Sequence, residues 1–236
     1  MNIALLKCGY VPKTLLKVAG DFEDMFAAFF ERYVPQIRLT VFDVQKNQYP
    51  ENLKDFDGFI TTGSENSVYD DFEWLNNFKK FINLLYYEHY KHAGICFGHQ
   101  LIAGSLGGKV EKSATGWGLG VKKINVLKTK SWMNGDKLSQ LHLIASHQDQ
   151  VIKLPPYSEV IAGSDYCPVS IFTVSDRFLG IQLHPEFTAA YHKASLLYHA
   201  SSFDEALLEN ALKSLDQQTD SKVIAGWINN FFQTVT

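Results

Sequence analysis

A cysteine between two glycines is the residue of this chain best placed to do chemistry. Within the segment GICFGHQ, residues 94–100, Cys96 follows a short apolar run and precedes a helical pattern. Flanking glycines allow a sharp strand-to-helix turn without a Cβ clash, and the first N–H groups of the helix then point at the side chain. Those N–H groups favour the thiolate, the nucleophilic form of cysteine. The pattern predicts a nucleophile elbow; a buried structural cysteine is the alternative.

A histidine and a glutamate two residues apart form the second feature. His184 and Glu186 follow the apolar run 178–183 and flank Pro185. Residues two apart in an extended chain point to the same side, so the carboxylate can orient the imidazole and stabilise its protonated form. The spacing therefore suits a general base and its partner, although a His-Pro-Glu tripeptide alone is also typical of a surface turn.

Two further turns have polar or flexible residues where a predicted strand ends. Ser146, His147 and Gln148 follow the apolar run 141–145 and precede Asp149, and a surface turn explains them on composition alone. Gly63 follows a predicted third strand at 56–60. Without a side chain, Gly63 could bring a backbone N–H against a reacting oxygen, or it could simply make a turn.

The elements that must position these residues alternate between strand and helix. Strands are predicted at 3–6, 37–42, 56–60 and 92–95, with a helix capped by Asp21 after the first and a helix at 70–90 after the third. This order predicts an α/β fold with a doubly wound, mostly parallel sheet flanked by helices. Ligands of such sheets bind beyond the carboxyl ends of the strands, where Gly63 and Cys96 are expected.

The second half of the chain has a different texture. Short alternating strands between residues 116 and 168, with a turn signal at Asn134-Gly135, predict a small antiparallel β flap laid onto the main sheet. A hairpin is predicted over 169–183, and leucines and aromatic residues at helical spacing after residue 188 predict C-terminal helices that cover the sheet. No low-complexity linker separates these parts, so residues 1–236 are expected to form a single domain.

Composition excludes several classes of function. The chain has 46% hydrophobic and 20% charged residues and a formal charge of −3, with no basic run and no apolar run of membrane-span length. We therefore expect a cytoplasmic protein that binds neither nucleic acid nor a membrane. Its three cysteines form no CxxC pair, and its histidines do not cluster at ligand spacing, so neither a metal site nor a disulfide is expected.

Four segments together resemble the class I glutamine amidotransferases. In chain order they are GICFGHQ at 94–100, Gly-Gly at 107–108, SHQD at 146–149 and GIQLHPE at 180–186. The resemblance covers residues 1–187, with 188–236 as additional helices, and implies a flavodoxin-like sheet. It also implies Cys96 as nucleophile, His184 as acid and base, and Glu186 as the partner of His184, with no metal or organic cofactor.

The resemblance extends to candidate binding residues. It implies that the backbone N–H groups of Gly63 and Phe97 form an oxyanion hole. It further implies that three side chains of the substrate turn and a glutamine of the elbow helix hold the amino acid end of a γ-glutamyl substrate; these are Gln100, Ser146, His147 and Gln148.

The subgroup suggested by these motifs is a stand-alone one. There is no synthetase domain, and Gln148 stands where many synthetase-linked members have glycine, so the chain looks similar to proteins that include the plant γ-glutamyl peptidases. We expect hydrolysis of a γ-glutamyl amide bond, of glutamine or a larger γ-glutamyl peptide, through a thioester. One alternative is a glutaminase that delivers ammonia to a separate synthase. Another is a non-catalytic metabolite-binding protein on the same fold.

Overall fold

The centre of the fold is a nine-stranded β-sheet, seen in a computed structural model that describes residues 1–133 and 138–234. The strands are β1 (Asn2–Lys7), β2 (Arg38–Asp43), β3 (Gly58–Thr61), β4 (His92–Ile95), β5 (Lys109–Lys112), β6 (Gly118–Val126), β7 (Gln140–His147), β8 (Asp149–Lys153), β9 (Ser158–Gly163), β10 (Ile171–Val174) and β11 (Phe178–Ile181). The helices are α1 (Leu16–Ala19), α2 (Phe22–Tyr33), α3 (Glu73–Tyr87), α4 (Phe97–Ser105), α5 (Ala189–Tyr198), α6 (Glu205–Ser214) and α7 (Ser221–Gln233). The predicted turn signal at Asn134-Gly135 lies outside the described residues.

One half of the sheet is parallel, in the order β2-β1-β3-β4-β11. Its strands are buried on both faces, as β1 illustrates. Ile3 and Leu5 pack into one apolar cluster with α2 and α7, whereas Ala4 and Leu6 pack into another with α3 and α4. Successive side chains of a strand point to opposite faces, so an unbroken apolar run requires helices on both sides. The predicted doubly wound sheet is confirmed.

The other half is antiparallel and continues the same sheet in the order β11-β10-β9-β6-β7. The strands predicted as a flap are therefore present, but most of them extend the main sheet through backbone hydrogen bonds. Only β5 and β8, among the strands that the structure describes, form a separate two-stranded ribbon. Alternating polarity identifies a strand without identifying its neighbour, because neighbours are set by contacts distant in sequence.

Helix ends follow the local chemistry of the chain. Asp21 caps α2 and exchanges backbone hydrogen bonds with Asp24 in a capping box, as the predicted N-cap requires. Helix α3 begins at Glu73 rather than at residue 70, because Phe72 has extended backbone angles and stands at the N-cap position. The ring of Phe72 is accordingly 43% exposed rather than part of the buried stripe on α3.

The carboxyl ends of four parallel strands meet at one edge of the sheet. Cys8 follows β1 directly, and Cys96 follows β4. Gly63 lies two residues beyond β3, and His184 lies three residues beyond β11. This edge brings together residues far apart in the chain and is the expected binding edge of the fold. No helix in the described ranges is long and apolar enough to cross a membrane.

Candidate active site

Cys96 lies at a strained junction between β4 and α4. Its backbone has φ 51° and ψ −99°, a conformation that non-glycine residues rarely adopt. The first intrahelical hydrogen bond runs from the Gln100 N–H to the Cys96 carbonyl at 3.1 Å, so the N–H groups before Gln100 have no intrahelical acceptor. The predicted elbow is therefore present, and the strain falls on the cysteine itself.

The two glycines of the elbow are required by close packing. A Cβ atom on Gly94 would overlap the backbone of Gly98 in the first turn of α4. A Cβ atom on Gly98 would lie 2.8 Å from the carbonyl oxygen of Thr61 in β3. Glycine at both positions thus lets α4 start directly against the sheet, which confirms the predicted reason for the GxCxG pattern.

His184 and Glu186 form a buried pair beside Cys96. The Nδ1 atom of His184 lies 2.8 Å from Oε1 of Glu186, and the side chain of each is at most 4% exposed. The backbone N–H of His184 donates to the carbonyl of Ile144 in β7 at 2.8 Å, and the ring stacks on Phe187 with centroids 3.9 Å apart. These contacts fix the imidazole so that its other nitrogen is free to bond the sulfur of Cys96.

The charge of this histidine is set by two opposing effects. Burial alone would lower the pKa of His184, but the negative charge of Glu186 and the hydrogen bond with Cys96 outweigh burial. Together they raise the pKa of His184 to about 10, so the imidazole is protonated at neutral pH. A protonated imidazole beside a sulfur stabilises the thiolate, and it carries a proton that a leaving group can take.

A cavity of about 740 Å³ opens above these residues. The predicted site residues on its wall are Gly63, Cys96, Phe97, Gln100, Ser146, His147, Gln148 and His184. Glu186 does not reach the cavity wall and lies behind His184. The structure thus brings all of the predicted residues to one place, eight as lining and one as support.

The candidate oxyanion hole lies at the floor of this cavity. Gly63 and Phe97 both line it, and a Cβ atom on Gly63 would lie 3.1 Å from Cε1 of the His184 ring. Phe97 is the first residue of α4, so its N–H has no acceptor within the helix. The two residues therefore flank Cys96 on the side where a carbonyl oxygen would need hydrogen-bond donors.

The substrate turn is held by hydrogen bonds within the protein. Nδ1 of His147 lies 3.1 Å from the carbonyl oxygen of Asp149, and burial lowers the pKa of His147 to about 4. His147 is consequently neutral at pH 7. The Asp149 carboxylate accepts hydrogen bonds from Ser67 at 2.6 Å and from Tyr69 at 3.0 Å, which ties this turn to the loop after β3.

Other parts of the cavity wall have no local signal in the sequence. Trp117 and Phe203 line it far from the elbow in the chain, with ring centroids 5.4 Å apart. Tyr198, at the end of α5, and Tyr10, after β1, also contribute. Aromatic residues at such positions are equally typical of a core, so only tertiary contacts reveal them as cavity wall.

Within the described residues no cluster of three or more His, Cys, Asp or Glu side chains could hold a metal ion. The buried histidines have other surroundings. His99 packs edge-on against Phe172 with ring centroids 4.8 Å apart, and burial lowers its pKa to about 3. His192 accepts a hydrogen bond from the Gly120 N–H at 3.2 Å. Both are neutral packing residues rather than metal ligands.

Comparison with known proteins agrees with this geometry. The family model of the class I glutamine amidotransferases matches residues 18–219. Gamma-glutamyl peptidase 3 of Arabidopsis thaliana is 32% identical over 178 residues, 72% of this chain and 71% of the relative. A subunit of the glutamine-hydrolysing GMP synthase of Sulfolobus acidocaldarius is 31% identical over 137 residues, 58% of this chain and 70% of the relative.

The fold is shared with solved structures. A glutamine amidotransferase from Thermotoga maritima superposes with a TM-score of 0.76 over 98% of this chain and 99% of its own, at 17% sequence identity. At that identity the likeness concerns the fold alone, whereas the family match covers most of the chain. The chain belongs to the class I glutamine amidotransferase family.

Proposed function

We propose that this amidotransferase-like hydrolase cleaves a γ-glutamyl amide bond through a thioester on Cys96. The observation that carries the proposal is the grouping of Cys96, His184 and Glu186 at the floor of one cavity. Cys96 begins a helix, His184 bonds its sulfur, and Glu186 holds His184 at 2.8 Å. A protein that only bound a metabolite would have no need of a nucleophile, a proton carrier and its partner together.

The first half of the reaction forms the thioester. The Cys96 thiolate attacks the γ-carbonyl carbon, and the carbonyl oxygen becomes an oxyanion facing the N–H groups of Gly63 and Phe97. One good donor in such a position contributes about 3 to 4 kcal/mol to transition-state stabilisation. The C–N bond then breaks as protonated His184 gives its proton to the departing amine.

The second half returns the enzyme to its starting state. Neutral His184 takes a proton from a water molecule, and the resulting hydroxide attacks the thioester carbon. The C–S bond breaks, glutamate leaves, and the thiolate again faces a protonated imidazole. Glu186 stabilises the protonated ring in both halves, so its charge matters for each proton transfer.

The size of the cavity favours a substrate larger than glutamine. Its volume of about 740 Å³ lies within the range of about 300 to 1,000 Å³ that holds drug-sized ligands. Free glutamine would occupy the part next to Cys96 and leave the part walled by Trp117 and Phe203 to solvent. A γ-glutamyl peptide would fill both parts, in agreement with the substrate named in the gamma-glutamyl peptidase relative.

The test is a comparison of substrates on the purified protein. Glutamine and a panel of γ-glutamyl peptides are incubated with the wild type and with a Cys96→Ala variant, and released glutamate is measured. We expect γ-glutamyl peptides to be cleaved faster than glutamine, and no release above background by the variant. Equal release by the variant would refute the role of Cys96.

A second candidate function is a glutaminase that passes ammonia to a separate synthase. The observation in its favour is the similarity to the GMP synthase subunit of Sulfolobus acidocaldarius, which spans 58% of this chain. In that case the isolated protein would turn over glutamine slowly, and an added partner would accelerate it. Efficient cleavage of γ-glutamyl peptides by the isolated chain would exclude this alternative.

A further inference from the structure

We propose that Gln182 is a further catalytic residue, whose side-chain amide donates a hydrogen bond to the sulfur of Cys96 and stabilises the thiolate. The Nε2 atom of Gln182 lies 3.6 Å from Sγ, within the range of an N–H···S hydrogen bond. Gln182 is fully buried, so the amide does not exchange this contact for water. The inference rests on the proposed function only in taking Cys96 as the nucleophile.

The orientation of the amide follows from its neighbours. The side-chain Nε2 of Gln100 lies 2.9 Å from the backbone carbonyl oxygen of Asp149, which can only accept a hydrogen bond. The same Nε2 lies 3.1 Å from Oε1 of Gln182. An acceptor at one end of this series of amides fixes each amide in turn, so the NH₂ group of Gln182 must face Cys96.

The direction of this hydrogen bond decides its effect on the sulfur. A donor aimed at Sγ favours the thiolate over the thiol, since the bond strengthens when the acceptor is charged. The titratable groups that act on Cys96 are His184, Cys8 and Cys167. Gln182 differs from them in carrying no charge, so its contribution persists when His184 has given up its proton.

The same series of amides changes the role of Gln100. Both N–H groups of its side chain are engaged, one by the Asp149 carbonyl and one by Gln182. Only its Oε1 acceptor remains for a substrate. Gln100 is thus a positioning residue for Gln182, and through Asp149 it connects the substrate turn to the nucleophile.

The experiment measures the reactivity of Cys96 without a γ-glutamyl substrate. The rate of alkylation by iodoacetamide is followed against pH in the wild type and in Gln182→Met, with Cys96→Ala as the background. We expect the midpoint of the profile to rise by about one pH unit in Gln182→Met, a tenfold loss of thiolate at neutral pH. For Gln100→Met, which leaves the Gln182 amide free to rotate, we expect a smaller rise.

A matched control separates this effect from general loss of packing. Gln150 is also a buried strand glutamine, but its Nε2 donates to the Tyr166 carbonyl at 3.0 Å, away from Cys96. Gln150→Met should leave the profile of Cys96 unchanged. A profile of Gln182→Met that superposes on the wild type would overturn the proposal, whether or not the protein cleaves γ-glutamyl bonds.

The proposal is testable in the unaltered chain if Gln182→Met does not fold. The side-chain NH₂ resonances of ¹⁵N-labelled protein can be followed against pH. We expect the resonance of Gln182 to titrate with Cys96 and to lose that titration in Cys96→Ala. A Gln182 resonance with the same pH dependence in both proteins would refute the hydrogen bond.

Discussion

Two turns at the same edge of the sheet each carry a buried cysteine, and only one is built for nucleophilic chemistry. Cys8 follows β1 and Cys96 follows β4. The sulfur of Cys8 lies 3.2 Å from the Thr62 carbonyl oxygen and 3.6 Å from the Gly63 carbonyl oxygen, both of which accept hydrogen bonds. The sulfur of Cys96 instead faces donors, from His184 and from Gln182.

The comparison shows that position at the sheet edge is not sufficient for reactivity. Burial outweighs the hydrogen bond with Thr62 and raises the pKa of Cys8 far above the usual range, and the carbonyl acceptors around it require a thiol proton. Cys167 is similar, because burial raises its pKa to about 11. What distinguishes Cys96 is the start of a helix and a set of donors aimed at its sulfur.

The largest predicted difference between the two turns is in activity. Cys96→Ala should lower turnover of a γ-glutamyl peptide by at least about 10⁴-fold, because Cys96 is the only cysteine among the described residues that line the cavity. Cys8→Ala should keep turnover close to that of the wild type and lower only the free energy of unfolding. Steady-state kinetics and urea unfolding of both variants measure this. A similar loss of turnover in the two variants would contradict the comparison.

A smaller effect is expected from removing the charge behind His184. Glu186→Gln keeps the size of the side chain but removes the main cause of the raised pKa of His184. We expect kcat to fall by about 10² to 10⁴-fold and the loss of activity at alkaline pH to begin at a lower pH, since His184 must be protonated to release the amine. The pH dependence of kcat measures this. An unchanged alkaline limb would show that Glu186 does not set the charge of His184.

The third prediction concerns the elbow glycines. Gly94→Ala should lower the free energy of unfolding by about 1 to 3 kcal/mol and reduce activity, because the added Cβ overlaps the backbone at Gly98. Gly226, inside α7, is the matched control, since a Cβ atom there has no neighbour within 4 Å among the described residues. Gly226→Ala should instead stabilise the protein by about 0.5 to 1 kcal/mol. Denaturant unfolding of both variants checks the signs.

The smallest predicted effect contrasts two histidines. The pKa of His184 is raised, whereas burial lowers the pKa of His99 to about 3. A group whose pKa is lowered on folding stabilises the protein above its unfolded pKa, about 6.5, and loses that contribution as the pH falls toward its folded pKa. Stability should therefore fall below pH 6.5.

The His99→Phe variant isolates this histidine. Its free energy of unfolding should depend less steeply on pH between about 6 and 4, by up to about 1.4 kcal/mol per pH unit. Urea unfolding at several pH values measures the slope. An equal slope in the variant and the wild type would show that His99 is not held neutral by the fold.

Local patterns predicted the site residues that act through short-range geometry. The glycines around Cys96 indicate a turn with close packing, and the period of two that places Glu186 beside His184 operates within one extended segment. That same period places Gln182 on the side of His184, so this signal was available in the sequence. It lacked only its partner, Cys96, which lies 86 residues away.

Features that depend on long-range contacts could not be predicted in this way. Alternating polarity identified the antiparallel strands but not that most of them extend the main sheet. The hydrogen bonds from Ser67 and Tyr69 to Asp149 span 82 and 80 residues, and no local pattern marks them. The start of α3 at Glu73 was also missed, because the apolar and acidic residues before it fit a helix as well as they fit a turn.

The most direct test of the central claim is detection of the acyl-enzyme. The protein is mixed with a γ-glutamyl peptide, quenched in acid at times from milliseconds to steady state, digested and analysed by mass spectrometry. We expect the mass of one γ-glutamyl group on the peptide that contains Cys96, and none on those that contain Cys8 or Cys167. Turnover during which the Cys96 peptide stays unmodified at every time, or acylation of a different residue, would contradict the account.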